Sequence, residues 1–318
     1  MSAKFGLTLS SEEHDPNRLL EIAQLAEESG FDFVSISDHF HPWLDDQGHS
    51  PFVWTMLGAL AERTTSLGVV VGVTCPIMRI HPAILAQATA TTSHLLGERF
   101  TWGVGTGEAL NEHILGDPWP SVDVRLEMLE EAVALMRRLW EGGFVTQSGP
   151  HYRVDNARIY SLPDEPPQVY VSGFGPKATD VAARIGDGYI STSPDADLVR
   201  RFKDGSGGKP AQAGAKVAYA PTVDEGVGHA HRLWSNSGLP GELAQVLPSP
   251  RHFEQASQLV TEESTRESVV AGPDPQAHLD QVESYREAGY DELYVANMGP
   301  HYRDMIEFYG KEILPVLG

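Results

Sequence analysis

The sequence has few cysteines, few basic residues and no long apolar run. Its 318 residues include one cysteine, Cys75, which excludes an intramolecular disulfide and a zinc site made of four cysteines. The 23 lysine and arginine residues are outnumbered by 44 aspartate and glutamate residues, which gives a formal net charge of −21. A surface of that charge repels nucleic acid and anionic membranes, so we expect neither as a partner. A local basic site or a helix N-terminus can still hold a small anion.

Signals for membranes and export are missing as well. The chain contains no apolar stretch long enough to span a bilayer, and its N-terminal segment lacks the apolar core of a secretory signal. Hydrophobic residues make up 41% of the chain and charged residues 21%, which is enough apolar material for a sizeable core. We therefore expect a globular, cytoplasmic protein.

The chain does contain a regular alternation of short apolar runs and longer amphipathic runs. The amphipathic runs carry apolar residues at helical spacing, and the first begins with Pro16 directly after a capping Asp15. The run LGVVVGV at 67–73 is apolar throughout, which is typical of a strand buried on both faces. The pattern predicts strands at 5–9, 33–37, 67–73, 100–104, 168–171, 188–191, 216–220 and 292–296.

Eight strands separated by helices or irregular segments predict a (β/α)8 TIM barrel. An open doubly wound sheet is the alternative, and the lack of G-x-G-x-x-G after the first strand argues against it. We predict a single domain over residues 1–318, with insertions at the mouth near 105–124, 141–165 and 204–268. Within the last insertion, 204–215 and 224–250 are rich in Gly, Ser and Pro, so we expect irregular structure there and a candidate mobile lid.

The carboxyl ends of the strands carry the chemistry in a barrel of this type. The second strand ends in SDHFHPW at 37–43, which places an imidazole, a carboxylate and an indole together. His39 is a candidate general base near neutral pH, and the alternative is a core histidine hydrogen-bonded by Asp38. His39 and His41 also resemble the metal pair of barrel hydrolases. Strands five and six end without histidine and strand eight without a carboxylate, so we expect no metal.

Two further strand ends have features of ligand sites. Strand four ends in GVGTGEALN at 103–111, where three glycines let a ligand approach the backbone and where Glu108 and Asn111 follow. Strand five ends in SGFGPK at 172–177, where the N–H groups of a helix start lie beside Lys177 and form a candidate phosphate site. Each segment is also consistent with an ordinary strand-to-helix turn. Cys75 carries no feature that would lower its pKa, so we expect a buried, inert thiol.

These segments resemble those of the luciferase-like, coenzyme F420-dependent oxidoreductases, in the branch that includes glucose-6-phosphate and secondary-alcohol dehydrogenases. The matching stretches, which span nearly the whole chain in the family's order, are SDHFHPW, GVTCPIMR with HPAILAQATAT, GVGTGEALNE, RLEMLEEAVALMRRLW, SGFGP and GDGYISTS. The resemblance implies a barrel, a homodimer and a deazaflavin in the mouth that carries the hydride.

The resemblance also implies roles for individual residues. His39 would take the proton of the substrate hydroxyl, Glu108 would transfer a proton at the deazaflavin, and Trp43 would pack beside the reacting carbon. A cis peptide bond between Gly72 and Val73 would lie behind the ring. The residues implied to contact the coenzyme ring and its tail are Asp38, Cys75, Thr106, Gly107 and Asn111, and those implied to bind the phosphodiester are Phe174, Gly175, Lys177 and Ala178.

The substrate pocket departs from that of the glucose-6-phosphate enzymes, which hold the sugar phosphate with a threonine, two lysines and an arginine. Thr192 keeps the threonine, but Asp195 occupies the first lysine position, and the other two positions fall near Ala244 and Glu267. A charge-assisted phosphate contact contributes about 1.5–3 kcal/mol, so the loss of three argues for a non-phosphorylated alcohol or sugar-like substrate. The aromatic residues that we expect around it are Trp234, Tyr219, Trp43 and Phe40.

Three other functions stay open. An F420-dependent sugar-6-phosphate dehydrogenase needs replacement cations, for which Arg232, Arg251 and Arg266 are candidates. An FMN-dependent luciferase-like monooxygenase would use the same barrel, although its sequences typically lack the His39 and Glu108 pair. A non-catalytic ligand-binding protein is the third, and the intact catalytic residues argue against it. The direction of the reaction is also open.

Overall fold

The computed structural model describes residues 4–317, and its framework is a closed ring of eight parallel strands. In chain order these are β1 Lys4–Leu9, β2 Phe33–Ile36, β3 Gly68–Thr74, β4 Phe100–Val104, β5 Gln168–Ser172, β6 Gly188–Ser191, β7 Ala211–Ala218 and β8 Glu292–Asn297. Each strand pairs with the next along the chain, and β8 pairs with β1, with Phe5 opposite Leu293. Because the ring of hydrogen bonds closes, the predicted (β/α)8 barrel is confirmed.

An outer layer of helices covers the strands. Its members are α1 Pro16–Glu28, α2 Val53–Arg63, α3 Pro82–Leu96, α4 Val122–Trp140, α5 Pro176–Ile185, α6 Ala196–Ser206, α7 Pro275–Glu287 and α8 Tyr302–Phe308. Proline begins α1, α3, α5 and α7, at a position where its missing N–H costs no helical hydrogen bond. Across residues 4–317, no helix is both long and apolar enough to cross a membrane.

Smaller elements connect the barrel units or extend them. The additional helices are Ala109–Glu112, Val223–Trp234, Leu243–Val246, Pro250–Ser257, Glu262–Ser268 and Leu314–Leu317, the last reached through a π-helical turn at Tyr309–Ile313. Single 3₁₀ turns lie at Asp45–Gln47, Gly97–Arg99, His113–Leu115 and Ser235–Gly238. The remaining strands are the antiparallel hairpin of Val145–Ser148 with Arg153–Ala157, and Val270–Ala271, which pairs with β7.

Aromatic rings fill the inside of the barrel, where they lie over glycines of the neighbouring strands. A Cβ added at any of these glycines would collide with the ring beside it, so only glycine leaves enough room. The pairs are Gly6 with Phe33, Gly188 with Tyr170, and Gly214 with Tyr294. The rings form a buried cluster of their own, separate from the core between strands and helices. The barrel interior is therefore packed, and binding is left to the mouth.

Strand β3 contains a bulge where the resemblance implies a cis peptide bond. Its pairing with β4 shifts register between Val71 and Thr74. The Gly72–Val73 peptide bond inside this stretch is cis, as the resemblance implies. On β4, a Cβ at Gly103 would collide with the carbonyl oxygen of Val71. The first glycine of the strand-four motif is therefore required by packing between strands.

Two predictions about the C-terminal half were wrong. The seventh strand was expected at 216–220, yet it runs over Ala211–Ala218, so that it begins within 204–215, a stretch expected to be irregular. Its small residues AQAGA have low strand propensity. Gly214 makes room for the Tyr294 ring inside the barrel, and Ala211, Ala213 and Ala215 are buried in the core between strands and helices. The stretch 224–250 was also expected to be irregular, but much of it is helical. Its motion as a lid stays a prediction.

Candidate active site

The segments that follow β1 to β4 meet at the carboxyl end of the barrel. Hydrogen bonds and ion pairs join the first segment to the second, and the second to the third and fourth. The polar side chains that they bring to the mouth are Glu12, Glu13, Asp38, His39, Arg79, Glu108, Asn111 and Glu112.

His39 lies against a carboxylate that the sequence analysis did not single out. Its Nδ1 is 3.0 Å from Oε1 of Glu12, and only 11% and 4% of the two side chains are exposed. The ring N–H is not aimed straight at this oxygen, so the contact is an ion pair rather than a well-aligned hydrogen bond. Ser37 Oγ donates a 2.6 Å hydrogen bond to the same oxygen of Glu12. Asp38, the alternative partner expected for His39, does not hold the ring, because its carboxylate pairs with Arg79.

Burial and charge act in opposite directions on the His39–Glu12 pair. Burial alone lowers the pKa of His39, but the Glu12 carboxylate outweighs it, with help from Glu108 and Asp38, and the net pKa lies above the ordinary 6.5. Burial raises the pKa of Glu12, and contacts with His39 and Ser37 bring it below the ordinary 4.5. The pairing thus favours the charged forms of both groups more strongly than burial disfavours them.

Trp43 forms an apolar wall next to His39. The two ring centroids are 5.1 Å apart at 77°, an edge-to-face arrangement. On its other side Trp43 meets Phe253 at 5.2 Å, together with the buried Leu44 and Leu110. Phe253 belongs to helix Pro250–Ser257, so this part of the predicted insertion packs against the loop that carries the catalytic candidates.

Arg79 lies in the segment after β3 and links it to the segments after β2 and β4. Its Nη2 lies 2.8 Å from Oδ1 of Asp38, and its Nε lies 3.4 Å from Oε1 of Glu112. The exposed fractions of the three side chains are 6%, 0% and 1%, so water screens these charges poorly. Burial raises the pKa of Glu112 to about 7, opposed by Arg79 and reinforced by Asp38 and Glu108. Two carboxyl groups, those of Asp38 and Glu112, thus share the guanidinium of Arg79.

The glycine-rich turn after β4 lies directly against Cys75. Gly107 has a φ of +69°, and a Cβ there would collide with the Cys75 sulfur, so the turn needs glycine for both reasons. Burial, with added repulsion from Glu112 and Glu108, raises the pKa of Cys75 well above its ordinary value. The thiol is buried and un-ionised at neutral pH, in agreement with the prediction of an inert cysteine. Thr106 beside it is partly exposed to the mouth.

Two buried polar atoms near this turn have no hydrogen-bond partner within residues 4–317. Asn111 Oδ1 accepts from the backbone N–H groups of Phe40 and His41 at 2.9 and 3.1 Å, while its Nδ2 is unpartnered. The second buried atom without a hydrogen-bond partner is Oδ2 of Asp38. An unsatisfied buried polar group costs about 1–3 kcal/mol, so a ligand that offers both an acceptor and a donor is favoured here. The pyrimidine edge of a flavin or deazaflavin, with carbonyl oxygens and a ring N–H, has this pattern.

The residues predicted to bind a phosphodiester surround the N-terminus of α5. Gly175 is its N-cap residue, Ala178 lies in its first turn, and Phe174 before it is 56% exposed. Lys177 Nζ lies 2.8 Å from Asp123 Oδ1 in an exposed ion pair. Water screens such a pair, so it is weak enough to be exchanged for a stronger anion.

The structure places only some of the aromatic residues expected around the substrate at the barrel mouth. Trp234 Nε1 donates a 2.6 Å hydrogen bond to Oε1 of Glu13, so Trp234 lies at the mouth. Phe40 is 51% exposed on the second loop. The prediction for Tyr219 was wrong, because its ring packs 5.0 Å from Phe308 of α8, outside the barrel.

Two of the three arginines considered as replacement cations, Arg232 and Arg266, are paired with carboxylates. Thr192 is exposed just after β6. Asp195 caps α6 by accepting hydrogen bonds of 3.0 Å from the backbone N–H groups of Asp197 and Leu198. The nearby Arg266 pairs with Asp224 at 2.9 Å.

A family model described as luciferase-like monooxygenase matches residues 1–292. The chain belongs to this family. The resemblance drawn from the motifs is thereby confirmed, and it extends over almost the entire barrel.

Individual relatives of this luciferase-like protein are similar along its full length. The F420-dependent glucose-6-phosphate dehydrogenase of Microbacterium testaceum is 35% identical over 331 residues, covering 99% of this chain and 97% of that protein. The F420-dependent hydroxymycolic acid dehydrogenase of Mycobacterium tuberculosis is 35% identical over 321 residues, covering 98% and 88%. A solved F420-dependent secondary alcohol dehydrogenase, in complex with an F420–acetone adduct, superposes with a TM-score of 0.93 at 30% identity, covering 100% of both chains.

Four charged residues of this luciferase-like site were missed by the sequence analysis: Glu12, Glu13, Arg79 and Glu112. Each follows a barrel strand, Glu12 and Glu13 in SSEE after β1, Arg79 in CPIMR after β3 and Glu112 in GEALNE after β4. A charged side chain at the carboxyl end of a strand was the available signal. Their partners lie on other strands, so the sequence could not show what they bind.

Proposed function

We propose that the protein is a coenzyme F420-dependent oxidoreductase, which moves a hydride between the deazaflavin and a hydroxyl- or carbonyl-bearing carbon of a small substrate. The observation that carries the proposal is the buried His39–Glu12 pair beside Trp43 at the barrel mouth. The coenzyme is supported by three relatives named as F420-dependent dehydrogenases, at 30–35% identity over at least 98% of this chain.

His39 has the position of the proton carrier. Its Nδ1 faces Glu12, which leaves Nε2 for the substrate oxygen. In oxidation, the hydrogen of the C–H bond would leave with its electron pair as a hydride. The O–H proton would go to Nε2, and the electron pair of the O–H bond would become the second bond of the C=O group. Reduction would reverse both transfers. The bound coenzyme supplies the hydride acceptor or donor. Trp43 would keep water from the reacting carbon, and Glu108 would transfer a proton at the coenzyme, as the resemblance implies.

The residues present fit the coenzyme. Asp38 Oδ2 and Asn111 Nδ2 would hold the polar edge of the ring, and Gly107 gives the ring access to the backbone. Thr106 and the start of α5 would hold the tail and its phosphodiester. The remaining proposed contacts are Gly72, Val73, Cys75, Phe174, Gly175, Lys177 and Ala178.

Titration with two coenzymes tests the proposal. We expect micromolar or tighter binding of coenzyme F420 and weak binding of FMN, measured by quenching of tryptophan fluorescence. Equal or stronger binding of FMN, together with oxygen consumption once it is reduced, would instead establish the luciferase-like monooxygenase.

The rate should depend on pH in opposite ways in the two directions. Oxidation needs neutral His39, whose pKa is raised, so kcat/KM for an alcohol is expected to rise with pH through a midpoint above 6.5. Reduction needs the imidazolium, so it should fall over the same range. Glu12→Gln removes the interaction that outweighs burial and should move both midpoints to lower pH. The exposed control Glu21→Gln should move neither, and an unchanged midpoint in Glu12→Gln would contradict the assignment.

Glucose 6-phosphate is expected to be a poor substrate. The carboxylate of Asp195 lies where a phosphate-binding lysine is expected, and Arg266 is already paired with Asp224. We expect neither coenzyme reduction nor competition with a hydroxyl substrate at millimolar glucose 6-phosphate. Robust reduction that is lost in Thr192→Ala would show that the sugar-phosphate activity is present.

The quaternary state and location rest on the family resemblance. We propose a homodimer in the cytoplasm, with a small-molecule substrate and neither nucleic acid nor membrane as partner. Light scattering on the purified protein would test the dimer, and a mass of one chain would contradict it.

A further inference from the structure

Lys216 extends into the mouth from the inner face of β7. Gly214 lies opposite Tyr294 of β8, and its missing Cβ makes room for the Tyr294 ring inside the barrel. Side chains two residues apart on a strand point to the same face, so Lys216 also faces inward. It lies closer to the carboxyl end of the strand, where the barrel opens.

The direct contacts of the ammonium group are a hydroxyl group and an aromatic ring. Lys216 Nζ donates a 2.8 Å hydrogen bond to Ser237 Oγ and lies 5.7 Å from the centre of the Trp234 ring. Trp234 in turn donates to Glu13, whose pKa burial raises to about 7, so Glu13 is only partly charged at neutral pH.

Lys216 is one of two lysines between residues 4 and 317 without a carboxylate partner, and the other, Lys209, donates to the backbone carbonyl of Gly186. The lysines between residues 4 and 317 that do pair with a carboxylate are Lys4, Lys177, Lys203 and Lys311. Burial lowers the pKa of Lys216 to about 8, and the charge of Glu12 opposes this shift. Lys216 is therefore still mainly a cation at neutral pH, and Glu12 is already engaged with His39.

Lys216 and the catalytic candidates face the same opening. Gln47 accepts a 2.8 Å hydrogen bond from the backbone N–H of Trp43 and donates one of 2.8 Å to the carbonyl oxygen of Leu233. This bridge holds the end of helix Val223–Trp234 beside the loop of His39. A ligand that reacts at His39 can thus extend along Trp234 toward Lys216.

We propose that Lys216 and Ser237 bind a carboxylate of the substrate, so that the preferred substrate is a hydroxy acid or its keto counterpart. The inference rests on the proposed function and names its substrate class. Two donors match the two oxygens of one carboxylate, and the Trp234 face lies alongside to cover the carbon chain. A phosphate dianion would meet the same single cation with more charge to neutralise.

A matched pair of substrates tests the proposal on the F420-loaded enzyme. The probes are 2-hexanol and 5-hydroxyhexanoate, which share the chain and the secondary hydroxyl and differ in the terminal carboxylate. We expect kcat/KM to favour the hydroxy acid by about 10–100-fold, the effect of one charge-assisted hydrogen bond. In Lys216→Met the preference should vanish, because KM for the hydroxy acid rises. It should persist in Lys216→Arg and be unchanged in the surface control Lys311→Met.

A second measurement does not need turnover. Calorimetric titration with hexanoate, with and without coenzyme, should show binding that Lys216→Met abolishes and Lys311→Met retains. A wild-type preference for 2-hexanol, a preference that survives Lys216→Met, or hexanoate binding that is absent or independent of Lys216 would each overturn the inference. Failure of the proposed function would appear separately, as failure to bind coenzyme F420.

Discussion

His39→Ala is expected to lower turnover by about 10²–10⁴-fold, the usual size of general acid–base catalysis. The imidazole is the titratable group that the structure holds, with a buried counter-charge, beside the aromatic wall of the mouth. Its removal leaves the proposed coenzyme contacts of Asp38 and Asn111 in place. Affinity for coenzyme F420, measured by fluorescence titration, should therefore change little while kcat, followed by coenzyme absorbance, falls.

His94→Ala is the matched control, because His94 is an exposed histidine on the outer helix α3. It should keep both turnover and coenzyme affinity. If His39→Ala instead retains near-full turnover, His39 is structural and another group carries the proton. A parallel loss of coenzyme affinity would place His39 in binding instead.

Arg79→Met is expected to destabilise the fold by about 3–5 kcal/mol, the usual result of removing one partner of a buried ion pair. Asp38 and Glu112 would both lose their cation while remaining buried. The pKa of Glu112, which burial already raises to about 7, would rise further without the opposing charge of Arg79. The stability of the variant should accordingly decrease as pH rises toward this further raised pKa of Glu112, and it should recover toward acid. Urea unfolding at several pH values measures both effects.

Arg200→Met is the control for Arg79. Arg200 pairs with Asp197 at 2.6 Å, but 66% and 84% of these side chains are exposed, so the cost should be at most about 1 kcal/mol. Equal losses in both variants, or a loss at Arg79 that does not depend on pH, would show that the buried charge network is not what holds the loops together.

Local pattern was sufficient to predict the barrel. The apolar runs that become β1 to β6 and β8, and the capped starts such as Asp15–Pro16, are set by residues within a few positions of one another. The strand ends expected to carry chemistry, at His39 and Glu108, were predicted in the same way. Strand β7 was misplaced, because its small residues have low strand propensity and are set by packing against other elements, as at Gly214 beneath the Tyr294 ring.

Contacts within the site connect residues far apart in the chain, and no local pattern shows them. Glu12 reaches Ser37 across 25 residues, Arg79 reaches Glu112 across 33, and Trp234 reaches Glu13 across 221. The sequence could offer Asp38 as the partner of His39, since the two are adjacent. Only the folded barrel shows that Asp38 belongs to Arg79 and that Glu12 is the partner of His39.

The sequence by itself determined the family, the barrel and most of the candidate catalytic and coenzyme residues, because strand and helix periodicity and short motifs are properties of neighbouring residues. Tertiary structure alone decided the charge state of the site. The raised pKa of His39, the pKa of Glu112 near 7 and the unpaired cation at Lys216 each depend on burial and on charges carried by other strands. Electrostatic energy depends on distance in space and on exclusion of water, and both are set only when the eight strands close.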